Sequence, residues 1–146
     1  MTSFSAVNTG SRMDQSPPRT VEPTVRQGKI SSWQARCIQG YIASNLQGTI
    51  RLADLARVAQ LRLPRFKREF RKYFGLTPYQ YVIRKRVERA QNLMVISDEP
   101  LRDISAECGF SDQFHFSNAF CAVVGQRPGA WRRWMSAQIR ASATSN

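Results

Sequence analysis

Apolar residues recur at helical spacing from Trp33 onward, and the breaks between these runs predict where each helix starts and stops. Ser31 and Gln34 form a capping-box pair ahead of Trp33, Cys37, Ile38, Tyr41, Ile42 and Leu46, which share one face of a first helix ended by Gly48. Leu52, Leu55, Ala56 and Ala59 predict a short second helix, small on the side where another helix must cross closely. After a turn over residues 60–63, Pro64 suits the first position of a third helix, where its missing N–H is no loss. That helix is expected to run to about Phe74 and stop at Gly75. Thr77 as cap and Pro78 in the first turn open a long helix through Ile96, with Tyr81, Val82, Val87, Ala90, Leu93 and Met94 for packing. Its nineteen residues span about 28 Å at 1.5 Å per residue. Beyond residues 98–100, Leu101, Ile104, Ser105 and Cys108 begin another short helix, Gly109 supplies a turn, and Ser111 or Asp112 caps the helix that follows. Pro128 opens a closing helix with Trp131, Trp134 and Ile139 expected inside and Arg127, Arg132, Arg133 and Arg140 outside. The final residues, ASATSN, are expected to fray.

Part of this pattern occurs twice. Phe66, Phe70, Gly75 and Pro78 return fifty positions later as Phe116, Phe120, Gly125 and Pro128, and Tyr81 returns as the aromatic Trp131. The chain therefore reads as two copies of one supersecondary unit. Two short helices joined by a brief turn make a helix-turn-helix, whose second helix can lie in a DNA major groove. A helical wheel for the first copy puts Phe66, Phe70, Tyr73 and Phe74 on one side, Pro64, Arg68 and Arg71 opposite, and Arg65, Lys67 and Lys72 on the flanks. An apolar inner face backed by a cationic outer face suits a recognition helix, because arginine pairs with guanine edges while neighbouring cations neutralise phosphate. In the second copy the equivalent outer positions are Phe114, Asn118, Cys121 and Ala122.

Charge sharpens this inequality. The 146 residues carry a formal charge of +12, which calls for a polyanionic partner. Residues 62–89 hold ten Lys or Arg against only Glu69 and Glu88, whereas residues 96–125 hold Asp98, Glu99, Asp103, Glu107 and Asp112 against Arg102 alone. The cluster Arg84, Lys85, Arg86 and Arg89 on the long helix either reaches phosphates or forms a solvated face. Residues 1–29 are rich in Ser, Thr, Pro, Gln and Gly and read as a flexible arm. Cys37, Cys108 and Cys121 lack the paired spacings of zinc or redox sites, so reduced, partly buried thiols and no metal or cofactor are expected. No run suits a membrane span or signal peptide, which suggests a cytoplasmic location.

The segments LRLPRFKREFRKYFGLTPYQYVIRKRVERAQNLM and DISAECGFSDQFHFSNAFCAVVGQRPGAWRR resemble the DNA-binding domain of the AraC/XylS family of bacterial transcription regulators, over residues 31–139. The resemblance implies an all-α fold of about seven helices. Two homeodomain-like helix-turn-helix subdomains, residues 30–76 and 98–140, would be joined by a linker helix over 77–97, with 141–146 as a disordered tail. It implies double-stranded DNA as partner, two recognition helices in successive major grooves, and base-facing Pro64, Lys67 and Arg68 in the first unit and Gln113, Phe114, His115 and Asn118 in the second. With Arg65, Arg71 and Lys72, these are the candidate DNA-binding residues. Arg62 stands where the family usually has a capping serine, Asn118 where arginine is usual, and Cys121 with Ala122 in place of a basic pair. Affinity is therefore expected to be weighted to the first unit. The chain also resembles the small single-domain activators, which can bind asymmetric sites as monomers, and RNA polymerase is an expected partner; it would otherwise be a remnant of a longer regulator.

Two other readings follow from the same residues. In one, the second unit is a protein-binding surface for RNA polymerase or another regulator, tethered to DNA by the first. In the other the chain is an enzyme, since such domains accompany DNA-repair alkyltransferases; no cysteine here has an activating neighbourhood, so no catalytic residue is expected. Phe114 either meets a thymine methyl or tucks back against the linker helix or a partner. His115 is expected to contact DNA or lie exposed, and Cys121 to be exposed.

Overall fold

The computed structural model describes residues 29–145; the expected arm lies outside the described residues except for Lys29. Seven helices follow in order, α1 (Ser32–Ser44), α2 (Leu52–Val58), α3 (Leu63–Phe74), α4 (Pro78–Ile96), α5 (Leu101–Glu107), α6 (Gln113–Val124) and α7 (Pro128–Thr144), with no strand among the described residues. The caps predicted from sequence form. The Ser31–Gln34 and Thr77–Gln80 capping boxes are both closed, and Asp112 caps α6. Helix α3 starts one residue earlier than expected, at Leu63, with Pro64 still in its first turn.

Two apolar cores form, and α4 belongs to both. Ile38 and Ile42 of α1, Leu55, Ala56 and Ala59 around α2, Phe66 and Phe70 of α3, and Tyr81 and Val82 of α4 make the first. From Ile83 onward α4 turns to the second core, where Val87, Ala90 and Met94 meet Ile104, Cys108, Phe116, Phe120 and Trp131. The sequence repeat is the framework of these cores. Phe66, Phe70, Phe116 and Phe120 are fully buried, and the ring pairs Phe70–Tyr81 and Phe120–Trp131 lie at 5.6 and 5.7 Å. Gly75 and Gly125, at φ 77° and 91°, end α3 and α6 in the left-handed conformation, so that Pro78 and Pro128 can start the next helices. In the first part of each unit the register differs by one. Leu52–Val58 and Leu101–Glu107 are 49 apart, because the turn between Gly109 and Phe116 is one residue longer than that between Gln60 and Phe66. Gln60, at φ 60°, takes the left-handed position that Gly109 takes at 89°.

Polar groups cross between the elements. Gln34 is completely buried and donates from Nε2 to the Ala59 carbonyl at the end of α2, while its Oε1 accepts from Ser31 N–H at 2.8 Å. Arg86 was expected either to reach phosphate or to lie on a solvated face. It does neither, since its guanidinium donates to the carbonyls of Leu46 at 3.0 Å and Gly48 at 2.8 Å, tying the linker helix to the exit of α1. Desolvation at this junction lowers the Arg86 pKa. Gly109 packs into the same corner, where a Cβ would meet the Leu46 carbonyl and the Arg86 guanidinium. Arg132, expected outside, makes a parallel clamp from α7, donating to the carbonyls of Ser97 at 2.9 Å and Glu99 at 2.8 Å beyond the end of α4.

Several expected core residues lie outside. Cys37 is exposed, and Gln34 and Ala35 take its place on the buried face of α1. Tyr73 is exposed because α4 packs on the opposite flank of the last turn of α3, where Phe74 meets Tyr81 at 5.0 Å. Trp134 and Ile139 are exposed because α7 packs through Pro128 and Trp131, and residues 137–145 all lie exposed. Helix α7 continues to Thr144, with the Thr144 hydroxyl bonded to the Arg140 carbonyl at 2.8 Å and two alanines favouring the helix.

Gly109→Ala should therefore destabilise the chain by about 2–4 kcal/mol, through left-handed strain and a clash with backbone. Gly125→Ala, where added bulk meets open space, should cost about 1 kcal/mol. Urea unfolding of the two variants should separate them in that order. Arg86→Met, which keeps the apolar stem but leaves two carbonyls without donors, should cost about 2–3 kcal/mol in the same measurement.

Candidate nucleic-acid interface

The outward face of α3 is decided by its inward one. Burying Phe66 and Phe70 turns positions 64, 68 and 71 to solvent, and Pro64, Lys67, Arg68, Arg71 and Lys72 are all exposed, with Arg65 half-buried beside them. A surface groove of about 500 Å³ runs along this face, lined by Pro64, Lys67, Arg68 and Arg71 together with Leu52, Thr77, Pro78 and Tyr79. No carboxylate lines it among the described residues. The one acid of α3, Glu69, is only 7% exposed and sits behind the cations, with Oε2 at 3.6 Å from both Arg68 Nε and Lys72 Nζ. Both cations are more than half exposed, so each pairing is worth about 1 kcal/mol at most and leaves the side chain able to leave for a stronger anion. Arg71 and Lys72 also sit in the last turn, where they complement the negative end of the helix dipole.

The equivalent face of α6 is built the same way with different chemistry. Asp112 Oδ1 accepts the His115 N–H at 2.7 Å, and the buried Phe116 and Phe120 turn Gln113, Phe114 and Asn118 to solvent. Phe114 is 76% exposed, which removes the expectation that it tucks back against the linker helix. His115 is half-buried, edge-on to Phe110 at 5.2 Å, with Nε2 at 3.4 Å from the Tyr79 hydroxyl. Cys121, expected exposed, is half-buried, while Ala122 is exposed. Helix α6 carries no cation, so the charge inequality read from sequence is also an inequality of surfaces.

Tyr79 was not foreseen as part of this face. It is 63% exposed in the first turn of α4, lines the groove on α3, and reaches His115 on α6. One side chain thus touches both outward faces. Its signal in the sequence was an aromatic following a helix-starting proline, a residue with no place on the apolar stripe of α4. Glu69 was visible as the lone acid in a cationic run, but its burial was not.

The three cysteines differ. Cys108 is fully buried, and desolvation pushes its thiol up to about 11, against the opposing influence of nearby Arg89, so it stays protonated near neutrality. Among the described residues no three His, Cys, Asp or Glu side chains gather in a way that could hold a metal ion, and no helix is long and apolar enough to cross a membrane.

The family model for a helix-turn-helix domain matches residues 55–133, more than half of the chain. The probable transcriptional regulator LumQ of Photobacterium leiognathi is 38% identical over 100 residues, covering 68% of this chain and 40% of LumQ. The DNA-binding domain of the global transcriptional factor AdpA, solved in complex with a target DNA, is 28% identical with a TM-score of 0.67, covering 74% of this chain and 96% of that one. An AraC-type regulator from Chromobacterium violaceum, at 23% identity and a TM-score of 0.65, shares the fold over 68% of this chain and 89% of its own. The chain spans less than half the length of the curated relatives it matches.

Replacing Glu69 with Gln should free Arg68 and Lys72 from their shared anion. A gain of about two- to fivefold in affinity for unspecific duplex DNA is expected at low salt, read by fluorescence anisotropy. Thiol labelling followed by mass spectrometry should modify Cys37 first and Cys121 more slowly, with Cys108 reacting only after denaturant is added.

Proposed function

Because the chain belongs to the AraC/XylS family of helix-turn-helix regulators, we propose that it is a sequence-specific DNA-binding transcriptional regulator whose helices α3 and α6 enter successive major grooves on one face of a duplex. The observation that carries this reading is the outer face of α3, where Arg68 and Arg71 stand directly opposite two fully buried phenylalanines in a groove without acids. Pro64, Lys67 and Arg68 take the base-facing positions, Arg68 reading a guanine edge, while Arg65, Arg71 and Lys72 bind phosphate. On α6, Gln113, Phe114, His115 and Asn118 take the equivalent positions, with exposed Phe114 suited to a thymine methyl. Affinity is weighted to the first unit, residues 30–76, because α6 offers amide, imidazole and apolar groups but no cation for phosphate. The linker helix, about 28 Å long at 1.5 Å per residue, holds the two heads at a separation comparable with one DNA turn of about 34 Å. The chain binds as a monomer in the bacterial cytosol and presents its remaining surface to RNA polymerase. It performs no catalytic step.

The test is a comparison of two alanine variants on a site selected from random DNA. Arg68→Ala should weaken binding by about 1–3 kcal/mol and relax preference at one base pair. Asn118→Ala should cost less on the same duplex, and a larger loss at Asn118 would overturn the weighting towards the first unit.

A further inference from the structure

A second groove lies between the linker helix and α6. Tyr79, Gln80, Ile83 and Arg84 from the first two turns of α4 form one wall, and His115, Asn118, Ala119 and Ala122 of α6 form the other, enclosing about 410 Å³. The two walls meet where the Tyr79 hydroxyl approaches His115 Nε2 at 3.4 Å. Tyr79 also lines the groove on α3, so the two grooves are continuous on one side of the molecule.

Of the four cations on the linker helix, three are turned elsewhere. Arg86 holds the carbonyls of Leu46 and Gly48, Arg89 lies against Cys108, and Lys85 pairs with Glu88 at 3.2 Å while standing over the Tyr81 ring. Arg84 is exposed and opens onto the groove. Among the described residues no carboxylate lines the groove, so its polar groups are a guanidinium, a phenol, an imidazole and two amides. The rest of the lining, Leu76, Ile83, Ala119, Ala122 and Val123, is apolar, so the guanidinium of Arg84 is the one formal charge in the groove and favours an anion over a cation.

We infer that this groove is a third DNA contact, a phosphate saddle in which Arg84, assisted by Tyr79, grips the sugar-phosphate backbone that passes between the two major grooves. The inference rests on the proposed mode of reading. When two helices enter successive major grooves on one face, the intervening minor groove and its phosphates must face whatever joins them. Here that joining surface is the N-terminal half of α4, and the cation it brings to the groove is Arg84. Such a contact carries no base information, but it fixes the register of the duplex and adds one released counterion to binding. It also compensates for α6, which has no cation of its own to hold backbone.

The probe is a duplex carrying the site that the full chain selects from random DNA, titrated at about 50–200 mM salt with wild type, Arg84→Ala, Arg84→Lys and Arg68→Ala. Arg84→Ala should bind roughly five- to tenfold more weakly, with a slope of log affinity against log salt shallower by about one, and with base preferences unchanged. Arg84→Lys should restore the slope. Ethylation of the phosphates between the two half-sites should interfere with wild-type binding and cease to matter for Arg84→Ala. If Arg84→Ala keeps wild-type affinity and slope on a duplex where Arg68→Ala is impaired, the saddle is wrong and the reading function stands. If wild type does not prefer the selected duplex to a scrambled one, the reading function fails and takes the saddle with it.

Discussion

Two phenylalanines one helical turn apart set the rotational phase of each outward helix, and every statement about the solvent face follows from that phase. Phe66 and Phe70 in α3, and Phe116 and Phe120 in α6, are fully buried, and each pair is closed by an aromatic from the helix that follows. Burying a phenylalanine side chain is worth about 1.5–3 kcal/mol, far more than any single exposed ion pair, so solvent-side chemistry cannot rotate the helix. The chemistry of the outer face is thereby independent of the fold. The same frame carries arginines on α3 and a phenylalanine, an asparagine and an alanine on α6.

The two units are joined through the core positions of one shared helix. Helix α4 changes allegiance between Val82 and Ile83, contributing Tyr81 and Val82 to one core and Ile83 to the next. At that point Arg86 reaches back to the end of α1, and Gly109 of the second unit packs against both. Glycine, where the first unit has Gln60 in the left-handed conformation, is needed at this junction because a side chain at position 109 would occupy the space of the Leu46 carbonyl. A repeat that looks symmetric in sequence is thus asymmetric where the copies touch each other and where they face solvent.

The legible part of the fold was the part written in residues with narrow physical tolerance. Gly75, Gly125, Pro78, Pro128 and the capping residues Ser31, Thr77 and Asp112 each do what their local chemistry permits, so the helix boundaries could be read directly. The outward positions Pro64, Arg68, Arg71, Phe114 and Asn118 followed from the same wheel. Three kinds of feature escaped it. Arg86 and Arg132 bind backbone carbonyls, which leave no side-chain partner to detect in a sequence. Tyr73, Trp134 and Ile139 lie at or near apolar faces whose expected covering element is absent on that side, something an angle alone cannot reveal. Tyr79 meets His115 across 36 positions, so its place between the reading helices exists only in three dimensions.

The central claim is that both outward helices meet one face of the same duplex, with the stronger grip at α3. Hydroxyl-radical footprinting of the full chain on its selected site tests this directly. Two protected patches about one helical turn apart on one face of the DNA, the deeper one at the half-site contacted by α3, are the predicted result. A single patch of about five base pairs would contradict it and would leave α6 as a surface for a protein partner.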